Sequence, residues 1–324
     1  MKVLVCGSEG SLGQAVVPKL LRDKHIVYGV DNLVRYGERL GIAGEGYEFR
    51  KVDLTDRPSV DALVKSVQPD VIFQMAARIY GVGGFNKYCA DILGEDLALH
   101  NNVLKAAVDH GVSKVVYTSS SMVYENCQGK VKEDDVDQVI APYTEYGLSK
   151  YVGEKMSIAF KKQYGVDYTI WRPFNVLTPY EKAEGQQGIS HVFADFMHQI
   201  IIKRSNVIPI LGDGEQIRCF TWIDEVAEAI AKHSFNPKTN GQAFNLGNDE
   251  PITMKDLARR IRSIAITEFG LDFDYAMTFD QKPAYVNDVR YRVPNVTKAL
   301  DILGWEAQMK VNDSLRLCIR DALK

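Results

Sequence analysis

A tyrosine and a lysine four residues apart can act as a proton-transfer pair when both stand on one helix, because residues one turn apart share a face. The 324-residue chain carries that spacing three times, at Tyr47/Lys51, Tyr146/Lys150 and Tyr151/Lys155. Geometry chooses among them. Tyr47/Lys51 falls in an extended run, where four residues span ~13 Å, too far for contact. Tyr151 follows Tyr146 by five positions, ~140° of helix rotation, so the two cannot face one cleft. Tyr146 opens its helix just after Pro142, where a side chain enters a cleft, whereas Tyr151 lies deeper and packs. Tyr146 and Lys150 are therefore the expected pair. A phenol with a reference pKa of about 10 is a poor base at neutral pH, and a nearby ammonium favours its phenolate. A third hydroxyl is expected from Thr118-Ser119-Ser120-Ser121, which ends the apolar run Val115-Val116-Tyr117.

A second group of residues suits a large anion. Lys2–Cys6 reads as a strand, runs into Gly7-Ser8-Glu9-Gly10-Ser11-Leu12-Gly13, and a helix follows. Glycines there permit a tight turn and let backbone amides approach a pyrophosphate, which the free N–H groups of the helix start then face. Asp31 stands 18 residues after Gly13, at the end of the next strand, with Asn32 beside it. A carboxylate at that place accepts hydrogen bonds from an adenosine ribose and repels a 2′-phosphate, selecting NAD over NADP. Arg35 and Arg39 stand close by and weaken that exclusion.

These groups need a frame. Strands are expected at Lys2–Cys6, His25–Val30, Tyr47–Val52, Val71–Met75, Lys114–Thr118 and Tyr168–Arg172, and helices at Leu12–Arg22, Ser59–Val67, Asp96–His110 and Tyr146–Tyr164. Near-continuous apolar strands alternating with helices give a parallel sheet covered on both faces. Right-handed crossovers make it doubly wound, with ligands at the carboxyl ends of its strands. After about residue 175 the rhythm breaks. The polar loop Lys182–Gly188 leads to a helix near His191–Lys203, a strand at Val207–Leu211 and a turn at Gly212-Asp213-Gly214. A helix Asp224–Ser234, a strand Ala243–Leu246, a helix Met254–Phe269 and a last pattern at Val296–Gly304 complete the expectation. The fold class is thus α/β, a doubly wound Rossmann sheet with a smaller mixed α/β domain. The cofactor unit is expected over 1–175 with a return segment near 219–247, and the substrate unit over 176–218 and 248–324.

Composition excludes several classes. A net charge of −3 argues against a nucleic-acid surface, and no run of about 18 apolar residues is present to span a membrane. The chain passes from Met1 straight into Val3-Leu4-Val5, without room for a signal peptide. Five cysteines, Cys6, Cys89, Cys127, Cys219 and Cys318, form no CxxC pair and read as reduced thiols of a cytoplasmic protein, with no metal site.

With these residues in place the whole chain resembles the extended short-chain dehydrogenase/reductases that act on nucleotide sugars. Gly7/Gly10/Gly13 has that family's G-x-x-G-x-x-G spacing, Asp53-Leu54 its pair near the adenine, and Ala76-Ala77 its small residues after the fourth strand. The resemblance makes Ser120 the catalytic serine beside Tyr146 and Lys150. It places Pro173 of Arg172-Pro173-Phe174-Asn175 by the nicotinamide and Asn175 by a substrate diphosphate. Arg218, after Gly212-Asp213-Gly214, resembles the family's diphosphate-binding arginine, and Arg290 or Arg292 would supply the second cation. Thr297-Lys298-Ala299 and Leu303-Gly304-Trp305 match further family signatures. Tyr146 would take the hydroxyl proton as hydride leaves the sugar carbon for the nicotinamide.

Within that family the features divide. Met122 stands where dehydratases and decarboxylases carry glutamate, and Ser121, a substrate-contact candidate, where dehydratases carry aspartate. A thioether transfers no proton. The run Arg78-Ile79-Tyr80-Gly81-Val82-Gly83-Gly84 with Tyr88-Cys89-Ala90-Asp91 resembles GDP-fucose synthase and GDP-mannose 3,5-epimerase. His191 matches the acid/base histidine of the synthase, although a lone histidine starting a helix also serves as a cap or phosphate contact. Cys89 is read as a buried thiol, Trp222 and Trp305 as core. Asp96 replaces a common family asparagine. The implied activity is NAD-dependent 4-epimerisation of a UDP- or GDP-linked sugar. A nucleotide-sugar dehydrogenase/reductase or 3,5-epimerase is the alternative, and a non-catalytic NAD-binding regulator the rival of another class. The two long helices suggest a homodimer.

Overall fold

The computed structural model describes residues 1–35, 45–183, 188–284 and 288–324. Arg39, and part of the Lys182–Gly188 loop, lie outside them. Strand β1 (Lys2–Cys6) is buried on both sides: Val3 and Val5 point into one apolar cluster, Leu4 and Cys6 into another. That two-sided burial follows from the period of two in a strand sandwiched between helices. Next come α1 (Ser11–Arg22), β2 (Ile26–Asp31), β3 (Tyr47–Lys51), α2 (Arg57–Val67), β4 (Val71–Gln74) and a short α3 (Val82–Lys87). Then follow α4 (Cys89–Asp109), β5 (Lys114–Thr118), the two-residue β6 (Lys130–Val131), α5 (Glu145–Tyr164) and β7 (Asp167–Pro173).

Local chemistry sets several of these ends. The Asp56 side chain accepts the Ser59 N–H at the start of α2. Thr144 caps α5 through the Gly147 N–H at 3.0 Å, and is itself held by Glu125, which accepts the Tyr143 and Thr144 amides at 2.8 and 2.9 Å. Gly165 ends α5 at φ +80. Tyr146 therefore enters from a doubly fixed helix start.

The remainder comprises β8 (Val176–Leu177), α6 (Val192–Met197), β9 (Val207–Leu211), β10 (Ile217–Cys219), β11 (Thr221–Trp222), α7 (Ile223–His233) and β12 (Gln242–Leu246). It closes with β13 (Pro251–Thr253), α8 (Met254–Phe269), β14 (Thr278–Lys282), β15 (Tyr291–Pro294), α9 (Thr297–Leu303) and α10 (Val311–Ala322). The main sheet has seven parallel strands in the order β12-β7-β5-β4-β1-β2-β3, so the chain does return to it through β12. A four-stranded sheet, β13-β10-β15-β6, sits beside it.

Three expectations need correction. Helix α4 begins at Cys89, not Asp96, because Ile92 is already buried and Asp91 suits a first turn. The helix expected over His191–Lys203 is α6 followed by a π-turn at His198–Ile202. The sequence reading also omitted α3, α10 and the four-stranded sheet. Helix α10 buries Val311, Leu315, Cys318 and Ile319, a helical spacing that was there to be read.

Candidate active site

The phosphate loop is shaped by contacts only glycine tolerates. Gly7 turns at φ +80, and a β-carbon on it would lie 2.8 Å from the Ala76 backbone. One on Gly13 would lie 2.2 Å from the Gly7 carbonyl oxygen. Helix α1 starts at Gly10 without a side-chain cap or an acidic residue in its first turn, which leaves its amides for an anion. Asp31 ends β2 with one oxygen on the Leu33 N–H at 2.8 Å and the other on the Glu9 N–H at 3.2 Å. The carboxylate thus ties the glycine loop to the carboxyl end of β2. Asn32 accepts the Val34 N–H at 3.1 Å, and Arg35 lies 4.4 Å over the Tyr80 ring.

A cavity of about 550 Å³ runs along the carboxyl edge of the main sheet, from this loop to the smaller sheet. Every residue singled out for the site lines it except Arg290. Ser120 caps a 3-10 turn, its hydroxyl accepting the Met122 N–H at 3.2 Å, and also hydrogen-bonds Tyr146. Tyr146 is 7% exposed. Burial pushes its pKa well up, the Ser120 hydroxyl and Arg292 pull down, and Asp96 pushes up. Lys150 donates to the Thr118 carbonyl at 3.1 Å, with its nitrogen 5.8 Å from the centre of the Tyr146 ring. Burial lowers its pKa against the pull of Asp96 and Glu154. Of the other two spacings, Tyr47 sits on β3 and Tyr151 packs beside Val123, Tyr124 and Phe174, and neither tyrosine lines the cavity.

Beneath the triad lies a buried ion pair that sequence reasoning missed. Glu154 takes Arg172 bidentately at 2.8 and 2.6 Å and the Ser119 hydroxyl at 2.5 Å. Glu154 stands one turn after Lys150, a spacing that could have signalled it. The pair fixes Ser119, and so Ser120, against α5.

The far end of the cavity is cationic. The register of β10 on β15 sets Arg218 opposite Arg292. Arg218 is braced by Asp288 at 2.9 Å, while the buried Nε of Arg292 has no hydrogen-bond partner. Burial and then Arg218 lower the Arg292 pKa to about 9. An orphaned guanidinium donor beside a second one suits a diphosphate. Arg290 lies outside the cavity, exposed and paired with Asp213 at 2.6 Å, because the bend before β15 turns it outward. Asn175 does line the cavity, and its amide nitrogen donates one of its two N–H groups to the Cys219 carbonyl at 3.0 Å.

His191 opens α6 at the cavity wall. Its backbone N–H and its Nδ1 both meet Glu181 at 2.9 Å, a partner the sequence did not reveal. Burial lowers the imidazole pKa, but Glu181 outweighs it and the net direction is up. Met122 is buried and lines the cavity, Cys89 is half-buried and does not, and Trp222 and Trp305 are core. Among the described residues no metal-ligand cluster occurs.

A nucleotide cradle followed by a Ser-Tyr-Lys set on one sheet edge agrees with comparison to known proteins. Residues 3–247 match the model of the NAD dependent epimerase/dehydratase family. The chain belongs to that family. It is accordingly an enzyme, and NAD is its cofactor; the tight glycine turns at Gly7 and Gly13, the uncapped start of α1 and Asp31 form a cradle that would hold it. It is 27% identical over 319 residues to the UDP-glucose 4-epimerase of Mycolicibacterium smegmatis, covering 97% of this chain and 96% of the relative. GDP-L-fucose synthase 1 of Arabidopsis thaliana is 25% identical, covering 97% and 90%. The crystal structure of the Thermotoga maritima UDP-glucose 4-epimerase with UDP-glucose superposes with a TM-score of 0.83 at 25% identity, over 100% of both chains. Among the described residues no helix is long and apolar enough to cross a membrane.

Proposed function

We propose that this enzyme is a 4-epimerase of a nucleotide-diphosphate sugar, UDP- or GDP-linked. The observation that carries the proposal is the pairing of a complete Ser120–Tyr146–Lys150 set with an inert Met122 at the same cavity wall. Inversion at C4 needs only removal and return of one hydride and one proton. NAD, when bound, would supply the hydride chemistry of both half-reactions, so no net oxidant or reductant is consumed. Ser120 holds the sugar hydroxyl, Tyr146 takes its proton and later gives it back, and Lys150 keeps a positive charge near the phenol. Arg218 and Arg292 bind the diphosphate while the sugar turns between the two steps. Pro173, Asp53, Leu54, Ala76 and Ala77 complete the cofactor wall, and Ser121 and Asn175 the substrate wall.

NMR of the purified enzyme with a panel of UDP- and GDP-sugars tests this. Inversion at C4 with no lasting absorbance change at 340 nm supports it; steady NADH formation indicates net oxidation instead. One observation favours a 3,5-epimerase, namely the Glu181-held His191. In D2O that activity places deuterium at C3 or C5, whereas C4 inversion by hydride return leaves every C–H in place.

We assign residues 1–175 and 219–247 to the cofactor unit, 176–218 and 248–324 to the substrate unit, and a two-fold homodimer to the outer faces of α4 and α5. Light scattering in solution checks the dimer. Cytoplasmic residence is likewise proposed.

A further inference from the structure

Lys150 is buried, so protein groups must hold its ammonium. Glu154, one turn on, is taken by Arg172, and Asp96 accepts the Arg78 N–H at 2.8 Å and the Ser149 hydroxyl at 3.2 Å. The ammonium donates to the Thr118 carbonyl at 3.1 Å, which uses one of its three N–H donors. Its nitrogen also lies over two rings, 5.3 Å from the centre of Tyr117 and 5.8 Å from that of Tyr146. A ring face within about 6 Å attracts a cation through its quadrupole, most strongly where water is excluded. Tyr117 does not line the cavity. It stands on β5, one residue before Thr118, and its ring is fixed by contacts with three elements. On α5 its hydroxyl reaches Gly153, where a β-carbon would lie 2.2 Å from the oxygen. On α4 the His100 ring packs against it with centroids 4.2 Å apart, and on β7 Tyr168 and Ile170 lie beside it. Gly153 follows Lys150 by three residues, on the same helix face, so the missing side chain makes room for the ring next to the ammonium.

We infer that Tyr117 is a positioning residue for the Tyr146–Lys150 pair, the face of its neutral ring holding the Lys150 ammonium beside the Tyr146 phenol. A carboxylate in contact would also hold the ammonium, but it would cancel the ammonium's field. An uncharged ring stabilises the cation and leaves that field to act on Tyr146, where it favours phenolate as the sugar proton is taken. Neither Tyr117 nor His100 brings a charge of its own. Burial keeps the Tyr117 phenol protonated, and burial, with Lys150 nearby, lowers the His100 pKa to about 3. The titratable groups facing Lys150 are Tyr117 on β5, Asp96 and His100 on α4, and Tyr146 and Glu154 on α5.

This inference rests on Tyr146 and Lys150 being the catalytic pair, so the first of its two readouts needs no turnover. Fluorine withdraws charge from an aromatic face while keeping the ring's shape, so the series keeps the packing against Gly153 and His100. Holoenzymes carrying phenylalanine, 4-fluoro-, 3,5-difluoro- or 3,4,5-trifluorophenylalanine at position 117 are compared, with Y117F as the reference. The first readout is the pH titration of the Lys150 13Cε NMR signal, identified by its absence in K150M. Its midpoint should fall stepwise with fluorine number, by about 0.5–1.5 pH units over the series; a midpoint that stays put overturns the inference. The second is the pH profile of kcat in the sugar conversion. Its alkaline limb, where the ammonium is lost, should move down in step, giving about 3- to 30-fold lower kcat on that limb. A purely structural ring would move neither readout. A midpoint that falls while the limb stays fixed overturns the positioning role together with the Tyr146–Lys150 reading beneath it, whereas an unmoved midpoint strikes the ring–ammonium contact alone.

Discussion

The rings of Phe85 and Tyr146 are stacked, with centroids 5.0 Å apart and planes 13° from parallel. Phe85 comes from α3, and it closes the apolar side of the phenol while Ser120 holds the polar side. This confinement is what pushes the phenol pKa up, so the hydroxyl, not the ring, carries the chemistry. Y146F keeps the ring and should keep the melting temperature, yet lower kcat by about 10²–10⁴-fold. F85A removes the stack and should cost about 3 kcal/mol of stability, with the phenol midpoint moving down as water enters. Thermal melts and pH-rate profiles of both variants check the pair of outcomes.

Two glycines make opposite predictions. At Gly13 a β-carbon would meet the Gly7 oxygen at 2.2 Å and Ser8 at 2.7 Å, so G13A must push the phosphate loop aside. Strain of about 1–3 kcal/mol translates into a ten- to hundredfold loss of NAD affinity, read from the cofactor content of purified protein. Gly94 on α4 has open space around a β-carbon. G94A should raise stability by up to about 1 kcal/mol, with NAD retained.

Local signals announced the main sheet and missed the smaller one for a physical reason. Strands β1 and β5 were legible to the residue because the apolar runs Val3-Leu4-Val5-Cys6 and Val115-Val116-Tyr117 at their centres are fully buried. Strands β10, β13 and β15 have three or four residues each and owe their state to partners far along the chain, such as Arg218 opposite Arg292. The same division holds at the site. Gly7, Gly13, Asp31, Tyr146 and Lys150 are singled out by spacing alone, and all five line the cavity. Glu181 and Phe85 reach the cavity only through tertiary packing, and nothing near them in sequence says so.

The register of β10 and β15 also separates two arginines that sequence left equivalent. R292A removes a buried donor facing the cavity and should raise KM for the nucleotide sugar by about 10–100-fold, the worth of a charge-assisted hydrogen bond of about 1.5–3 kcal/mol, with kcat changed little. R290A loses only an exposed pair with Asp213 and should stay within about threefold of wild type. Steady-state kinetics on the two variants decides between them. Equal effects would show that the second phosphate contact lies elsewhere.

His191 and Glu181 make the stability of the cavity rim depend on pH, with a sign fixed by their shifts. The His191 pKa is raised in the folded protein, so the folded state holds that proton more tightly than the unfolded chain. Its contribution is complete below the unfolded value of about 6.5 and is lost as pH rises through the folded value. Burial acts to raise the Glu181 pKa, but His191 overcomes it and the net direction is down. The carboxylate's contribution is therefore present above its unfolded value of about 4.3 and lost as pH falls through the folded one. H191N retains a donor for Glu181 and removes the charge. The stability difference between wild type and H191N should be largest between those two limits and shrink toward pH 9. Because 49% of the imidazole side chain is exposed, solvent screening holds the difference below about 1 kcal/mol. Chemical denaturation at half-unit pH steps measures it, and a difference that grows with pH would reverse the assigned charge on His191.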